Sequence, residues 1–287
     1  MTETRTIAPL ISVDWLKNNP ALDNLVIIDV REEKDYAQGH IENAINIPFD
    51  DESPWTVSRG GLTLEVPEPA ALAKTIESAG INEDSFVVII SAIPVPPNPP
   101  YPLADAARVA DTLIYAGVKN VTLLDGGYPK WISAGLPVTK TIPQVKKGTF
   151  KIGPNEEMFV QRNYVEQHIG KSVIIDARTA DVYFGVTIEE CAGKAGHIPS
   201  ARSLPAPWIW NKDGTYKEKQ LLESMASGVI GEDKNQEIIV YCGVGGFASA
   251  WWYVLTQILG YENVKFYDGS AQDWARNNPM VAYSWTS

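Results

Sequence analysis

A chain of 287 residues, 45% hydrophobic and 21% charged, is long enough for two medium domains with real cores. Its net charge of −11 argues against nucleic-acid and anionic-membrane partners and obliges any anionic ligand to be captured by a local positive site. Two cysteines (Cys191, Cys242) and three scattered histidines (His40, His168, His197) exclude a disulfide framework and a zinc cluster, and no apolar run reaches the length of a spanning helix.

The opening MTETRTIAPLIS lacks the apolar stretch of a signal peptide. The expected compartment is therefore the cytoplasm, or the periplasm if a leader has been removed. Strands are then predicted at 25–28, 86–90 and 121–124, where short Val/Ile-rich runs are bounded by turn residues. Helical patterns over 68–79 and 103–116 fall between them. The segment 143–158, polar and rich in Gly, Pro and Lys, reads as a linker. Beyond it the pattern resumes, with strands at 173–175, 238–241 and 264–267 and a helix over 248–259. Continuous apolar strands alternating with helices imply an α/β fold. Two tandem domains are expected, 8–142 and 159–287, each a central parallel sheet with helices on both faces.

The two halves are one unit written twice. VIIDVREEKDYAQGHI beginning at Val26 is matched by VIIDAR beginning at Val173 and then by GHIPSA, pairing Asp29 with Asp176, Arg31 with Arg178 and His40 with His197. Later, YAGVKNVTLLDGGYPKW is matched by LGYENVKFYDGSAQDW, pairing Gly117 with Gly260 and Asp125 with Asp268.

The copies differ where the third strand ends. In the second, IIVYC runs into Gly243-Val244-Gly245-Gly246-Phe247 and then a helix opening at Ala248. Ligands gather at the carboxyl ends of parallel strands, and Cys242 stands at such an end. Three glycines in five residues let the turn fold its N–H groups inward as an anion nest, which predicts a lowered thiol pKa. In the first copy the matching position is Ser91, followed by AIPVPPNPPYP, a loop eight residues longer with six prolines that offer no N–H. No nest is expected there, so the first copy reads as inactive and its proline run as a stiff loop. Cys191, in the insert TIEECAGKAGH, reads as a surface or half-buried residue rather than a resolving thiol.

The duplicated Asp-x-Arg and Gly-His-Ile pattern, the cysteine loop and YDGSAQDW together resemble the two-domain rhodaneses and 3-mercaptopyruvate sulfurtransferases, over almost the whole chain. The resemblance implies a six-residue catalytic turn from Cys242 to Phe247, followed by Ala248, and an inactive amino-terminal copy. It also implies chemistry without a cofactor. The Cys242 thiolate takes a sulfane sulfur from thiosulfate or 3-mercaptopyruvate, holds it as a persulfide among the loop amides, and passes it to cyanide, a small thiol or a thioredoxin-like reductant.

Departures concern the donor. Thiosulfate-specific members carry Cys-Arg-Lys-Gly and mercaptopyruvate members Cys-Gly-Ser-Gly, whereas this loop has Gly243 and Val244. A segment like Glu-Arg-Tyr-Arg-Gly is here Asp181-Val182-Tyr183-Phe184-Gly185, without its arginines. The remaining candidate cations are Arg178, Arg202 and Arg59. Arg178 either meets the substrate anion or pairs with Asp176. His197, Asp268 and Trp274 recur in the inactive copy and read as scaffold. A Cys-based phosphatase would need an arginine six positions after the cysteine, where Ala248 stands. A persulfide carrier with little turnover is the other reading.

Overall fold

The computed structural model describes residues 5–20, 22–50 and 52–283. They divide into two compact units, neither continuous in sequence. The first takes the described residues through Thr56, then Val66–Asn155 and Trp210–Tyr216. The second takes Val57–Glu65, Glu156–Ile209 and Lys217 onward. The passage from Asn155 to Glu156 lies inside the segment expected to be a linker. No helix among the described residues is long and apolar enough to cross a membrane.

In the first unit five parallel strands lie in the order Leu10–Ile11, Asn120–Leu124, Phe86–Ile90, Leu25–Asp29, Ala44–Asn46. The second unit repeats the plan with Phe159–Val160, Val264–Tyr267, Ile238–Tyr241, Val173–Asp176 and Arg202–Ser203. The central strands match the predicted runs because they are largely apolar and mostly buried on both faces. The four edge strands, two or three residues each, carry too little pattern to be read from sequence. An antiparallel pair, Val57–Arg59 with Leu62–Glu65, belongs to the second unit although its sequence precedes the first unit's fourth strand.

Helix Pro69–Ser78 opens on a proline whose missing N–H costs nothing at that position. Helix Tyr101–Tyr115 likewise has a proline in its first turn, directly after the proline loop. The helix expected over 248–259 is Gly246–Tyr253 followed by a π-helical stretch, Val254–Ile258. Each unit closes its own core. Ile27, Val88, Ile90, Leu124 and Trp131 pack together in the first, and Ile174, Ile239, Tyr241, Tyr267 and Trp274 in the second.

In both sheets the second and fourth strands of the copy, in chain order, are neighbours whose onward connections run to opposite sides. In the second unit this places the ends of Val173–Asp176 and Ile238–Tyr241 side by side at the point where the strand order reverses, the position at which open parallel sheets bind ligands.

Candidate active site

Two peptides leave the sheet at that point, one bearing Arg178 and the other Cys242. Asp176 ends its strand buried, and Arg178 folds back on it. The Arg178 Nε and Nη2 donate to the carboxylate, the shortest contact 2.6 Å, and Nη2 also donates to the Gly196 carbonyl at 2.8 Å. The Tyr241 hydroxyl donates to Asp176 at 2.7 Å and accepts from Ile198 N–H at 2.9 Å. Arg31 repeats the fork on Asp29 and the Gly39 carbonyl in the first unit. Arg178 is therefore a buried brace for the loop base. Its Nη1 makes no hydrogen bond and faces Glu189 at 3.5 Å.

The turn after Cys242 forms as its glycines suggest. Gly245 has φ +104°, a conformation costly to any residue with a Cβ, and this swings its N–H onto the Cys242 Sγ at 3.1 Å. The N–H groups of Ala248 and Val244 also point at the sulfur. Gly246 and Phe247 begin the helix behind the loop, so the sulfur sits at its N-terminus. On the other flank the Cys242 N–H donates to the Ser270 hydroxyl at 3.2 Å. The carbonyls of Cys242 and Gly243 accept from Ala271 and Gln272 at 2.9 and 3.0 Å. Ser270 holds φ +51°, where Gly127 stands in the other copy at +56°. Backbone strain of this kind gathers at functional sites.

The lowered thiol pKa expected from the nest is not what the resting site has. Burial pushes the Cys242 thiol up, and although the amides of Ala248, Gly245 and Val244 pull it down, the Glu189 charge adds to the upward side. The residue is 3% exposed, so loss of water outweighs three amide donors. The donors are nevertheless aimed at the sulfur and gain weight whenever it carries charge.

Glu189 belongs to the insert. From Asp29 to Gly39 is ten residues in the first copy and from Asp176 to Gly196 twenty in the second. The added stretch follows the short helix Ala180–Phe184 and returns over the cysteine loop. Glu189 lies so close that a Cβ on Gly243 would meet its Oε1 at 2.5 Å. Burial raises the Glu189 pKa, against the pull of Arg178. Cys191 is exposed, and burial and the charge of Glu189 push its thiol up to about 12. Glu189, Ser270 and Gln272 were missed from sequence. The insert's length and the change from Gly127 to Ser270 were the available signals.

Arg202 is not brought to this loop. It lies on the edge strand, exposed, and donates to the Val229 carbonyl at 2.6 Å. Arg59 sits on the antiparallel pair, which Arg276 holds through the Gly60 and Gly61 carbonyls. His197 stacks on Tyr183 at 3.9 Å just as His40 stacks on Tyr36 at 3.8 Å. In the first unit Ser91 occupies the cysteine's place: its carbonyl accepts from Tyr128 at 2.9 Å, as that of Cys242 does from Ala271. Proline-rich chain follows it instead of a glycine turn.

Comparison with known proteins agrees with this duplication. The model of the rhodanese-like domain matches residues 12–134 and again 161–277. The sulfur carrier protein TtuD of Thermus thermophilus is 31% identical over 278 residues, 92% of this chain and 93% of that protein. A protein of Saccharopolyspora erythraea that carries the provisional name of thiosulfate sulfurtransferase is 32% identical over 280 residues, 95% of this chain and 94% of its own. The crystal structure of SseA from Escherichia coli, described as a 3-mercaptopyruvate sulfotransferase with the rhodanese fold, superposes with a TM-score of 0.77. It has 27% identity and covers 92% of this chain and 99% of its own.

Proposed function

The chain belongs to the family of rhodanese-like domains, in two copies, and from that premise we propose that it is a sulfurtransferase working through a Cys242 persulfide. One observation carries the reading: a single thiol stands at the strand-order reversal with the Gly245 N–H on its sulfur at 3.1 Å and two further amides aimed at it. The copy spanning 159–287 does the chemistry and the copy spanning 8–142 does not. A small donor, thiosulfate or 3-mercaptopyruvate, approaches with its sulfane sulfur toward Sγ. The thiolate attacks that sulfur, the donor's bond to it breaks, and sulfite, or pyruvate as its enolate, leaves with the electron pair, the enolate then taking a proton from water. The turn amides then hold the persulfide anion as an oxyanion hole holds oxygen. Cyanide, a small thiol or a reduced thioredoxin-like protein attacks the outer sulfur and frees Cys242.

Arg178 fixes the loop through Asp176 and Tyr241 rather than gripping the donor, and the loop itself offers no cation at Gly243 or Val244. Dianionic thiosulfate therefore has little to bind beyond amides, and the less charged 3-mercaptopyruvate is the better matched of the two donors.

A persulfide carrier with little turnover is favoured by one observation, the 3% exposure of Cys242 beneath Glu189. Incubation with either donor followed by mass spectrometry distinguishes the readings. A gain of about 32 Da on Cys242, discharged repeatedly by cyanide or dithiothreitol, supports the transferase. A stable gain without discharge supports the carrier, and no gain on Cys242 contradicts both.

A further inference from the structure

We propose that the groove beside the edge strand Ala44–Asn46 of the first unit docks an extended, acidic segment of a partner protein. The inference is independent of the persulfide reading and gives the copy without a nucleophile a role of its own.

Ala44–Asn46 lies at the end of its sheet, paired with Leu25–Asp29. The Ile47 N–H donates to the Asp29 carbonyl at 3.1 Å. By the alternation of a parallel ladder, Asn46 then turns its own N–H and carbonyl away from the sheet. The Asn46 side chain donates back to the carbonyls of Asp29 and Arg31, each at 2.9 Å, which fixes that peptide. Two hollows, of about 490 and about 400 Å³, meet at Ile45, Asn46 and Val145. The first continues over Tyr36, Pro48 and Ile142, the second over Ile47, Pro54 and Lys74. A strand edge between two hollows suits an extended chain, which adds ladder bonds to the edge and seats alternate side chains beside it.

The stretch 140–147, which supplies Lys140, Ile142 and Val145 to this lining, is held at both ends. Thr139 and His40 exchange two backbone hydrogen bonds of 2.9 Å, and the Gly148 N–H donates to the Glu77 carbonyl at 2.8 Å. Gly148 also packs against the Ile81 carbonyl with no room for a Cβ. Ile142 is nevertheless 76% exposed and Val145 44%. Apolar side chains held out in water on an anchored wall mark a contact surface.

Charge identifies the occupant. In a chain of net charge −11, residues 140–151 carry four lysines and no carboxylate. Lys74, Lys140, Lys146 and Lys147 are exposed, and none pairs with a carboxylate among the described residues. Glu33 is the one carboxylate among the described residues that line the hollows. A positive rim around an apolar floor fits a segment whose carboxylates alternate with apolar side chains. A phosphate backbone would leave Ile142 and Val145 uncovered and would meet the repulsion of the whole chain.

The test uses the full chain and a short alternating Glu–Val peptide with blocked ends, its binding read by fluorescence anisotropy and by backbone amide exchange. The peptide is expected to bind, more weakly as salt rises, and to slow exchange across 44–47 and 140–147. Ile142→Asp, and separately Lys140→Glu with Lys146→Glu and Lys147→Glu, change exposed side chains and should leave circular dichroism as it is. Each should weaken binding by about tenfold or more. An alternating Lys–Val peptide should not bind. Failure of the Glu–Val peptide to bind, or binding that both variants retain, overturns the proposal. A single-stranded oligonucleotide that displaces the peptide and binds Ile142→Asp as well as wild type also overturns it, since the lysines would then be a phosphate patch. So does a wild-type dimer in sedimentation that both variants dissolve, which would assign the groove to a second copy of the chain.

Discussion

Gln272 and Thr63, 209 positions apart, hold each other by three hydrogen bonds: Thr63 N–H and hydroxyl donate to Gln272 Oε1 at 3.0 and 3.3 Å, and Gln272 Nε2 donates to the Thr63 carbonyl at 2.8 Å. The Gln272 N–H donates in turn to the Gly243 carbonyl. One residue thus ties the antiparallel pair 57–65 to the loop that carries Cys242. Gln272→Ala should cost about 1–2 kcal/mol in denaturant unfolding and speed amide exchange across 57–65. An unchanged midpoint and unchanged exchange would show that the pair is held by other contacts.

The charge of Glu189 raises the Cys242 pKa, so removing it must lower it. In a Cys191→Ser background, Glu189→Gln should move the midpoint of the pH dependence of Cys242 alkylation downward. Reaction with iodoacetamide at pH 7 should quicken accordingly, roughly tenfold if the midpoint falls by one pH unit. A midpoint that stays in place would mean that burial alone sets the thiol's acidity.

Sequence alone suggests that arginine at 243 and lysine at 244 would recruit thiosulfate. The geometry adds a condition, because a side chain at 243 runs into the Glu189 carboxylate, which would capture the new cation. Gly243→Arg with Val244→Lys should improve thiosulfate kcat/KM only when combined with Glu189→Gln. Equal improvement without the third substitution would show that Glu189 moves aside freely.

Asp105, on helix Tyr101–Tyr115, has its pKa raised by burial to about 7. The folded form therefore keeps a proton that the unfolded chain releases near pH 4, and stability falls as pH rises from about 4 to about 7. Asp105→Asn should stabilise the protein at pH 8 by about 2–4 kcal/mol and flatten that dependence. A pH profile of thermal unfolding unaffected by the substitution would rule this out.

The repeat made the central strands, the equivalence of Ser91 with Cys242 and the glycine turn legible from sequence, since each depends on local pattern. Asp176 and Arg178 could be matched to Asp29 and Arg31, but only the structure shows that the guanidinium is spent on the carboxylate and the Gly196 carbonyl. The thiol's acidity was read with the wrong sign because sequence displays donors and hides burial. Glu189 went unread because no periodicity reveals that an irregular insert folds back over a loop more than fifty residues further on. Arg202 was carried as a candidate by its charge and lies instead on an edge strand.

The most direct measurement is the rate of thiocyanate formation from cyanide with thiosulfate and with 3-mercaptopyruvate, for wild type and Cys242→Ser of matched circular dichroism. Wild type should turn over, faster with 3-mercaptopyruvate, and the variant should fall by about a thousandfold or more with both donors. A Cys242→Ser protein that forms thiocyanate at the wild-type rate would contradict the assignment of the sulfur to residue 242.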